Sequence, residues 1–308
     1  MTKDLQLLHE ARVRPEEIDH LGHMNVRFYA EKALQGSRAL VTQLGLSKER
    51  CAAEGTVLEL RGAFTRHYRE QLKGAELLVK GGVLDVHVDG LTLYLELLNP
   101  AREELAATFV QEMRLRDIRS RAPRPLPEMV AVEAAQAKVA WPEHGRPRTV
   151  DLSREPAELS LREARDRGIA LRQVRELRED ECTDEGFFPT IRYQELVWGG
   201  VPLSPQASFA PFETLPSGVK VGWAILESRG LIRRLPRAGD RIQSFSVEVE
   251  IGRKTSYRHS WVFDVDQGDL LCLSSTVDIA FDLDRRRSID IPSETRARLE
   301  ARCQPDLV

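Results

Sequence analysis

The sequence predicts an α+β fold built twice over, each copy an antiparallel sheet with a helix laid across it. Residues 1–118 order themselves as a strand, a long helix and a four-strand meander. The stretch 169–308 repeats that order with a shorter helix. Sliding the chain by 164 residues places Glu17 on Glu181, Gly22 on Gly186, Tyr29 on Tyr193, Glu31 on Glu195 and Gly36 on Gly200. That is five identities in the 20 positions from 17 to 36, a signal that points to duplication when the order of elements agrees as well.

In the first copy, Leu5–Val13 reads as a strand and Arg14–Met24 as a polar turn region. From Phe28 to Leu44, Ala30, Ala33, Leu34, Ser37, Val41 and Leu44 fall on one face at helical spacing, with Asn25 suited to cap the start and Gly45 to stop the end. Four segments of alternating character follow: Thr56–Tyr68, Ala75–Val86, Leu91–Leu98 and Glu104–Arg116. Leu91, Leu93, Leu95 and Leu97 alternate as a sheet with two different faces requires, and Asp89-Gly90 makes a hairpin turn. In the second copy, Arg172–Leu177 is a strand, Glu179–Pro189 a turn region and Thr190–Trp198 a short helix. Strands follow at Val219–Leu226, Arg241–Ile251, Thr255–Val265 and Leu270–Phe281. Residues 119–168, with Pro123, Pro125, Pro127, Pro142, Pro147 and Pro156, read as a linker with helical pieces at Met129–Val139 and Leu159–Arg167. Its length exceeds that of an ordinary loop and fits a need to place two domains.

Composition narrows the function. The chain has 308 residues, 42% hydrophobic, with 45 Lys+Arg against 48 Asp+Glu. A nearly balanced charge gives no case for nucleic acid or a membrane surface as partner. No apolar run approaches a membrane span, and the N-terminus lacks a secretory signal, so a cytoplasmic protein is expected. Cys51, Cys182, Cys272 and Cys303 match no zinc spacing and are expected as free thiols. Of the histidines only His259 lies near one of them, Cys272, in sequence.

The segment that carries chemistry is Glu17-Ile18-Asp19-His20-Leu21-Gly22-His23-Met24-Asn25, running into the helix with Tyr29. It sets a carboxylate in a loop, with a glycine three residues on that permits a tight turn. The helix then begins, and its first amides lack internal partners at the positive end of the dipole. Such a helix end polarises a carbonyl as an oxyanion hole does. A nearby Asp acts on that carbonyl or activates a water. The arrangement suits acyl transfer to water.

This pattern, D-x-x-G-H-x-N followed by Tyr between a strand and a long helix, resembles the 4-hydroxybenzoyl-CoA thioesterase type of the hotdog-fold superfamily. Tyr68-Arg69 and the strand-opening Gly74 resemble that family's next strand pair. The likeness covers about residues 5–117, and 170–285 as a degenerate second copy. It implies two tandem hotdog domains, each a sheet wrapped around a central helix, paired as an internal pseudo-dimer, with further homo-oligomers open. It implies hydrolysis of an acyl-CoA or related acyl thioester at one site where the two halves meet, with no cofactor and no metal. Asp19 matches the family's catalytic carboxylate. The backbone amide near Val26 matches the group that polarises the thioester carbonyl, and Gly22, His23 and Asn25 match supporting positions. Many relatives carry a polar side chain where this chain has Val26. In the second copy Thr183, Phe187 and Pro189 stand for Asp19, His23 and Asn25, so its site is expected to be dead, with Asp184 one residue out of register. Pro202 and Pro205 argue against a full-length second helix.

Plainer roles stand beside these. Asp19 can brace a turn, His23 can be a hydrogen-bonder rather than a base, and Asn25 is first a cap. Glu31 is a rival helix carboxylate, although its repetition as Glu195 favours structure. His20 and His23 lack a third metal ligand. Trp198 and Trp223 are expected in packing. Arg66, Arg69, Arg253 and Lys254 are expected as solvated charges rather than phosphate contacts, and Arg285-Arg286-Arg287 as surface. A non-catalytic module that binds an acyl thioester or a partner is the alternative to the enzyme; the hydratase patterns of this fold are not present.

Overall fold

The structure is a computed structural model that describes residues 5–19, 21–203 and 213–307. The chain forms two compact units, Met1–Arg146 and Pro147–Val308. Among the described residues no helix is long and apolar enough to cross a membrane.

The first unit runs β1 (Gln6–Arg12), a 3₁₀ turn at Pro15–Glu17, α1 (Val26–Gln43), α2 (Lys48–Ala53), β2 (Thr56–His67), β3 (Glu76–His87), β4 (Gly90–Asn99), β5 (Glu104–Asp117) and α3 (Glu128–Gln136). The strands pair antiparallel in the order β1-β3-β4-β5-β2. Asn25 caps α1, its side chain accepting the Arg27 amide at 3.1 Å. The helix buries Tyr29, Lys32, Ala33, Gly36, Ser37, Leu40 and Val41. This stripe keeps Ala33, Ser37 and Val41 of the expected one but is turned away from Ala30 and Leu34, which are half-buried. The turn has two causes. Lys32 has a buried ionic partner, and Gly36 lets the backbone approach the sheet: a Cβ there would lie 2.4 Å from Val79 Cγ1 and 3.1 Å from Leu95 Cδ2. Ser37 adds a buried hydrogen bond to Gln111 Oε1 at 2.7 Å.

Leu91, Leu93, Leu95 and Leu97 are wholly buried on the face that α1 covers. The opposite face is buried too, by chain read from the sequence as linker. Gly145 lies against the Tyr94 ring, and Val139 fills the space over Gly82. Arg66 is 6% exposed and donates to the carbonyls of His144 and Arg146 at 2.8 and 2.9 Å. The expectation of a solvated Arg66 is therefore corrected: five donors make arginine the side chain that can hold two carbonyls under cover.

The second unit runs α4 (Leu161–Asp166), β6 (Arg175–Glu176), α5 (Tyr193–Trp198), β7 (Glu213–Thr214), β8 (Lys220–Ile232), β9 (Arg241–Ile251), β10 (Thr255–Asp264), β11 (Leu270–Asp282), β12 (Arg287–Ser288) and α6 (Ser293–Glu300). Its main strands pair antiparallel in the order β8-β11-β10-β9-β6. Leu159, Leu161, Ala164 and Ile169, partly from the expected linker, join Phe245, Trp261, Phe263 and Leu273 in one core. The Trp261 indole donates to the Ala157 carbonyl at 2.9 Å.

The short helix expected at Thr190–Trp198 is shorter still. A 3₁₀ turn at Thr190–Arg192 leads into α5, which has six residues. A Cβ at Gly199 would lie 2.4 Å from the Glu195 carbonyl oxygen, and Gly200 takes φ +89°. The chain then leaves the helix to run beside 171–173, with Gln173 donating to Val201 and Leu203 to Leu171. Pro205 lies outside the described residues. α6, unforeseen in the sequence, packs Leu299 on Val221, Ala280 and Ile291.

The two sheets follow one register at an offset of 165. Leu93 pairs with Val83 and Gln111, and Arg258 with Glu248 and Thr276. Val13 and Leu177 each exchange backbone bonds with a loop glycine and its follower, Gly74-Ala75 and Gly239-Asp240.

Candidate functional site

The motif loop is built by its own backbone. The Asp19 amide donates to the His23 carbonyl at 2.9 Å and the Gly22 amide to the Asp19 carbonyl at 3.0 Å. Gly22 closes this turn at φ +84°, in the left-handed region that disfavours side chains. Asp19 Oδ1 accepts the Leu21 amide at 2.8 Å, and Oδ2 lies 3.6 Å from His23 Nδ1. The two side chains are 14% and 15% exposed, so both are largely buried. Asp19 thus braces its turn with one oxygen and keeps the other toward the imidazole. His23 Nε2 lies 3.4 Å from Glu70 Oε1, a second carboxylate that sequence reasoning missed. Glu70 is 47 residues away in the chain, and no local spacing could have joined it to His23.

Segment 68–71 fastens this loop to the start of α1. The Met24 amide donates to the Gln71 carbonyl at 2.8 Å. The Tyr29 hydroxyl accepts the Gln71 amide at 2.9 Å and donates to the Arg69 carbonyl at 3.2 Å. Burial pushes the Tyr29 hydroxyl well above its ordinary range, so it is a neutral structural bridge. His67 stands edge-on to Tyr29 at 5.3 Å, and burial pushes its imidazole down to about 4.

Beneath the loop, Lys32 Nζ reaches both oxygens of Glu17 at 2.8 and 2.7 Å, with Glu17 only 2% exposed. Burial alone would raise the Glu17 carboxyl. The Lys32 ammonium, helped by the Arg14 amide and guanidinium, overrides that and holds it below the ordinary carboxylate range. The Glu17 carbonyl also accepts the Asn25 amide at 2.9 Å. The loop is held at its root by one buried ion pair.

At the helix start, Asn25 uses its side chain on Arg27 and its carbonyl on Phe28. Among the described residues the Val26 amide has no acceptor, which leaves it available at the positive end of α1. Asp19, Gly22, His23, Asn25 and Val26 are therefore gathered in one loop and helix end. Glu31, the rival carboxylate, faces Arg27 at 3.8 Å and is 34% exposed. His20 lies outside the described residues. Among those described, no group of three His, Cys, Asp or Glu could hold a metal ion. Arg253 pairs with Asp290, and Trp198 lies under the Arg258 guanidinium at 4.3 Å. His259 binds Ser275, not Cys272, whose thiol burial pushes up to about 12.

The second loop has the same backbone at an offset of 164. The Arg178 amide bonds Glu181 at 3.0 Å where Arg14 bonds Glu17 at 3.1 Å. Thr183 donates to Phe187 at 2.8 Å, Gly186 to Thr183 at 2.8 Å, and Gly186 takes φ +77°. Its side chains differ: Thr183 and Asp184 are exposed, and Phe187 lies under the Arg237 guanidinium at 5.6 Å.

Residues 13–133, the motif loop included, match the family model of the thioesterase-like superfamily. Among solved structures, an acyl-ACP thioesterase from Bacteroides thetaiotaomicron is similar at TM-score 0.65 and 12% identity, over 89% of this chain and 98% of that one. The 12:0-ACP thioesterase from Umbellularia californica is similar at TM-score 0.63 and 11% identity, over 88% and 93%. At these identities the likeness is one of fold. No curated protein matches the chain by sequence. Residues 13–133 are thus similar to the thioesterase-like superfamily, and the chain shares the fold of these thioesterase structures.

Proposed function

We propose that the chain hydrolyses an acyl thioester, of coenzyme A or a carrier protein, through Asp19, as a tandem of two hotdog units of which only the first keeps a working loop. The observation that carries this reading is a partly shielded Asp19 carboxylate in the loop that leads into an 18-residue helix, whose first amide, Val26, has no acceptor among the described residues. The amide and helix dipole stabilise the oxygen of the thioester carbonyl as negative charge develops on it. The carboxylate acts on the carbonyl carbon, directly or through a water whose proton it takes, and the thiol leaves. Gly22 sets the turn that aims Asp19, His23 stands between Asp19 and Glu70, and Asn25 caps the helix. The matched second loop, with Thr183 and Phe187, has the scaffold without these groups.

Thiol release over a panel of acyl-CoAs tests this. Asp19→Asn keeps size and removes the carboxylate, and should lower kcat by about 100-fold or more with little change in KM. Asp184→Asn should leave turnover intact. Full turnover in Asp19→Asn, with loss in Glu31→Gln, would overturn the assignment. Binding of several acyl thioesters with no release by the wild type would favour a non-catalytic module.

A further inference from the structure

His67 is a titratable side chain close to the motif loop that the proposed chemistry does not use. Side chains of β2 alternate between its two faces. Arg66 turns to one face, onto the 144–146 carbonyls, and His67 to the other, where it meets the Tyr29 ring of α1 edge-on at 5.3 Å. The Tyr29 hydroxyl holds the Arg69 carbonyl and the Gln71 amide. Raised chiefly by burial, it is raised further by the Asp19 charge. Among the described residues neither ring nitrogen of His67 has a hydrogen-bond partner, and neither is sealed from solvent, since the residue is only half-buried. Crowding by the protein pushes the imidazole down to about 4, so at neutral pH it offers one donor and one acceptor.

The second unit shows what the same frame needs without this chemistry. The offset of 164 carries Tyr29 to Tyr193, which packs on Gly230. His67 pairs with Ala107 and Ile232 with Cys272, so the offset of 165 carries His67 to Ile232. The Met24 amide donates to the Gln71 carbonyl and the Phe188 amide to the Pro236 carbonyl, which carries Glu70 to Leu235. Ile232 and Leu235 are buried. Asp19, His23, Glu70 and His67 thus correspond to Thr183, Phe187, Leu235 and Ile232, and none of the four positions in the second unit has a titratable side chain. The tyrosine, the loop glycine and the loop glutamate are the same in both. An apolar side chain therefore serves beside the tyrosine, and packing does not demand the imidazole of His67. Placing its nitrogens there without a protein partner costs hydration.

We propose that His67 is a specificity-determining residue of the first unit's site, and that it meets a hydroxyl carried by the acyl group close to the thioester carbonyl. The inference rests on the thioesterase reading and adds to it a class of acyl group. Tyr29 lies three residues into α1 from Val26, about 4.5 Å along the helix axis. The ring that touches His67 thus stands one turn from the amide assigned to the carbonyl oxygen, beside the first carbons of the acyl group. A hydroxyl matches the donor and the acceptor of the imidazole. A carboxylate in that place would face the charge of Asp19, and a plain alkyl group would displace the hydration of the imidazole and return no bond.

Thiol release by the full chain from butyryl-CoA and octanoyl-CoA, each against both enantiomers of its 3-hydroxy form, tests it. Wild type should favour one hydroxy enantiomer over the plain acyl group in kcat/KM by about tenfold, the scale of one hydrogen bond. His67→Ile, which copies the second unit, should abolish that preference. His67→Gln keeps a donor and an acceptor and should retain part of it. His259→Gln, at a buried histidine of the second unit, should leave it unaltered. Release by wild type without preference, or an unaltered preference in a folded His67→Ile, would overturn the proposal and leave the thioesterase reading standing. Should His67→Ile not fold, the same ratio is read in His67→Phe, a flat ring with no hydrogen-bonding atom. An unaltered acyl preference with a changed preference between coenzyme A and N-acetylcysteamine thioesters would place His67 beside the thiol and also overturn the proposal. No release by wild type from any acyl-CoA would overturn the thioesterase reading and this inference with it.

Discussion

At residues 14–23 and 178–187 the chain folds the same loop twice, with matched backbone bonds and a left-handed glycine at the same place. The roots of the two loops differ. In the first, Glu17 is sealed against Lys32 of α1. In the second, Glu181 is half-buried and pairs with Arg175 at 2.8 Å, while Leu196 stands where Lys32 would be. The fold of the loop needs the arginine, the glutamate and the glycine, and both copies keep them. The proposed chemistry needs a carboxylate above that frame, and the first copy carries one in Asp19, with His23 beside it. The two loops thus share a backbone geometry and differ in the side chains it presents.

The largest effect that tests this contrast is on Lys32. Lys32→Leu copies the second unit and leaves Glu17 buried with Arg14 alone, a loss of about 3–5 kcal/mol, the scale for stranding one member of a buried pair. Denaturant unfolding followed on the full chain measures it. Adding Glu17→Gln should return part of the loss. The pair also sets a pH response. The Glu17 carboxyl is held below its ordinary value of 4.5, so its contribution is present above that pH and fades as pH falls through the lowered folded value. If Lys32→Leu costs no more than a surface change, the loop is not held by this pair.

How far the sequence told this in advance depends on the range of the interaction. The strands, the Asn25 cap and the motif were legible, because each is written in neighbours or in a period of two or 3.6. The repeat was legible through Glu17, Gly22 and their images. Arg66 under the 144–146 segment was not, since its partners are carbonyls almost eighty residues on. Nor were Glu70 beside His23, the Lys32 pair, or α6, whose polar sequence carries no clear apolar stripe. The second helix was read as shorter and proved shorter still: the Gly199-Gly200 pair ends it, and the notice given by Pro202 came from beyond that end.

A smaller effect is common to the sheets, since burial pushes His67 of β2 and His259 of β10 down alike. His259 of β10 is 3% exposed and binds Ser275 Oγ at 3.0 Å. Burial, with some repulsion from Arg154, pushes its imidazole down from 6.5 to about 4. The unfolded chain takes up that proton below pH 6.5, whereas the native chain does so only near pH 4. The second unit should therefore lose up to about 3 kcal/mol between those values and level off below. Unfolding midpoints at pH 7.5, 5.5 and 4.5 measure the slope. His259→Gln should flatten the part due to this residue. A slope unchanged in that variant would show that His259 does not set it.

The smallest effect isolates the shared frame from the chemistry. Gly22 and Gly186 have φ of +84° and +77°, and a Cβ at either would meet nothing within 4 Å. Alanine at either site therefore adds only the strain of the left-handed backbone, about 1–2 kcal/mol. The two costs should match, because the turns match. Turnover should not match. Gly186→Ala should leave kcat unchanged, whereas Gly22→Ala should lower it, because the turn that Gly22 closes returns its amide to the Asp19 carbonyl and sets the carboxylate above Leu21. Thermal unfolding and thiol release on the two single variants decide the matter. Equal loss of turnover from both would mean that the second loop takes part in the chemistry, and loss from neither would mean that Asp19 does not need its turn.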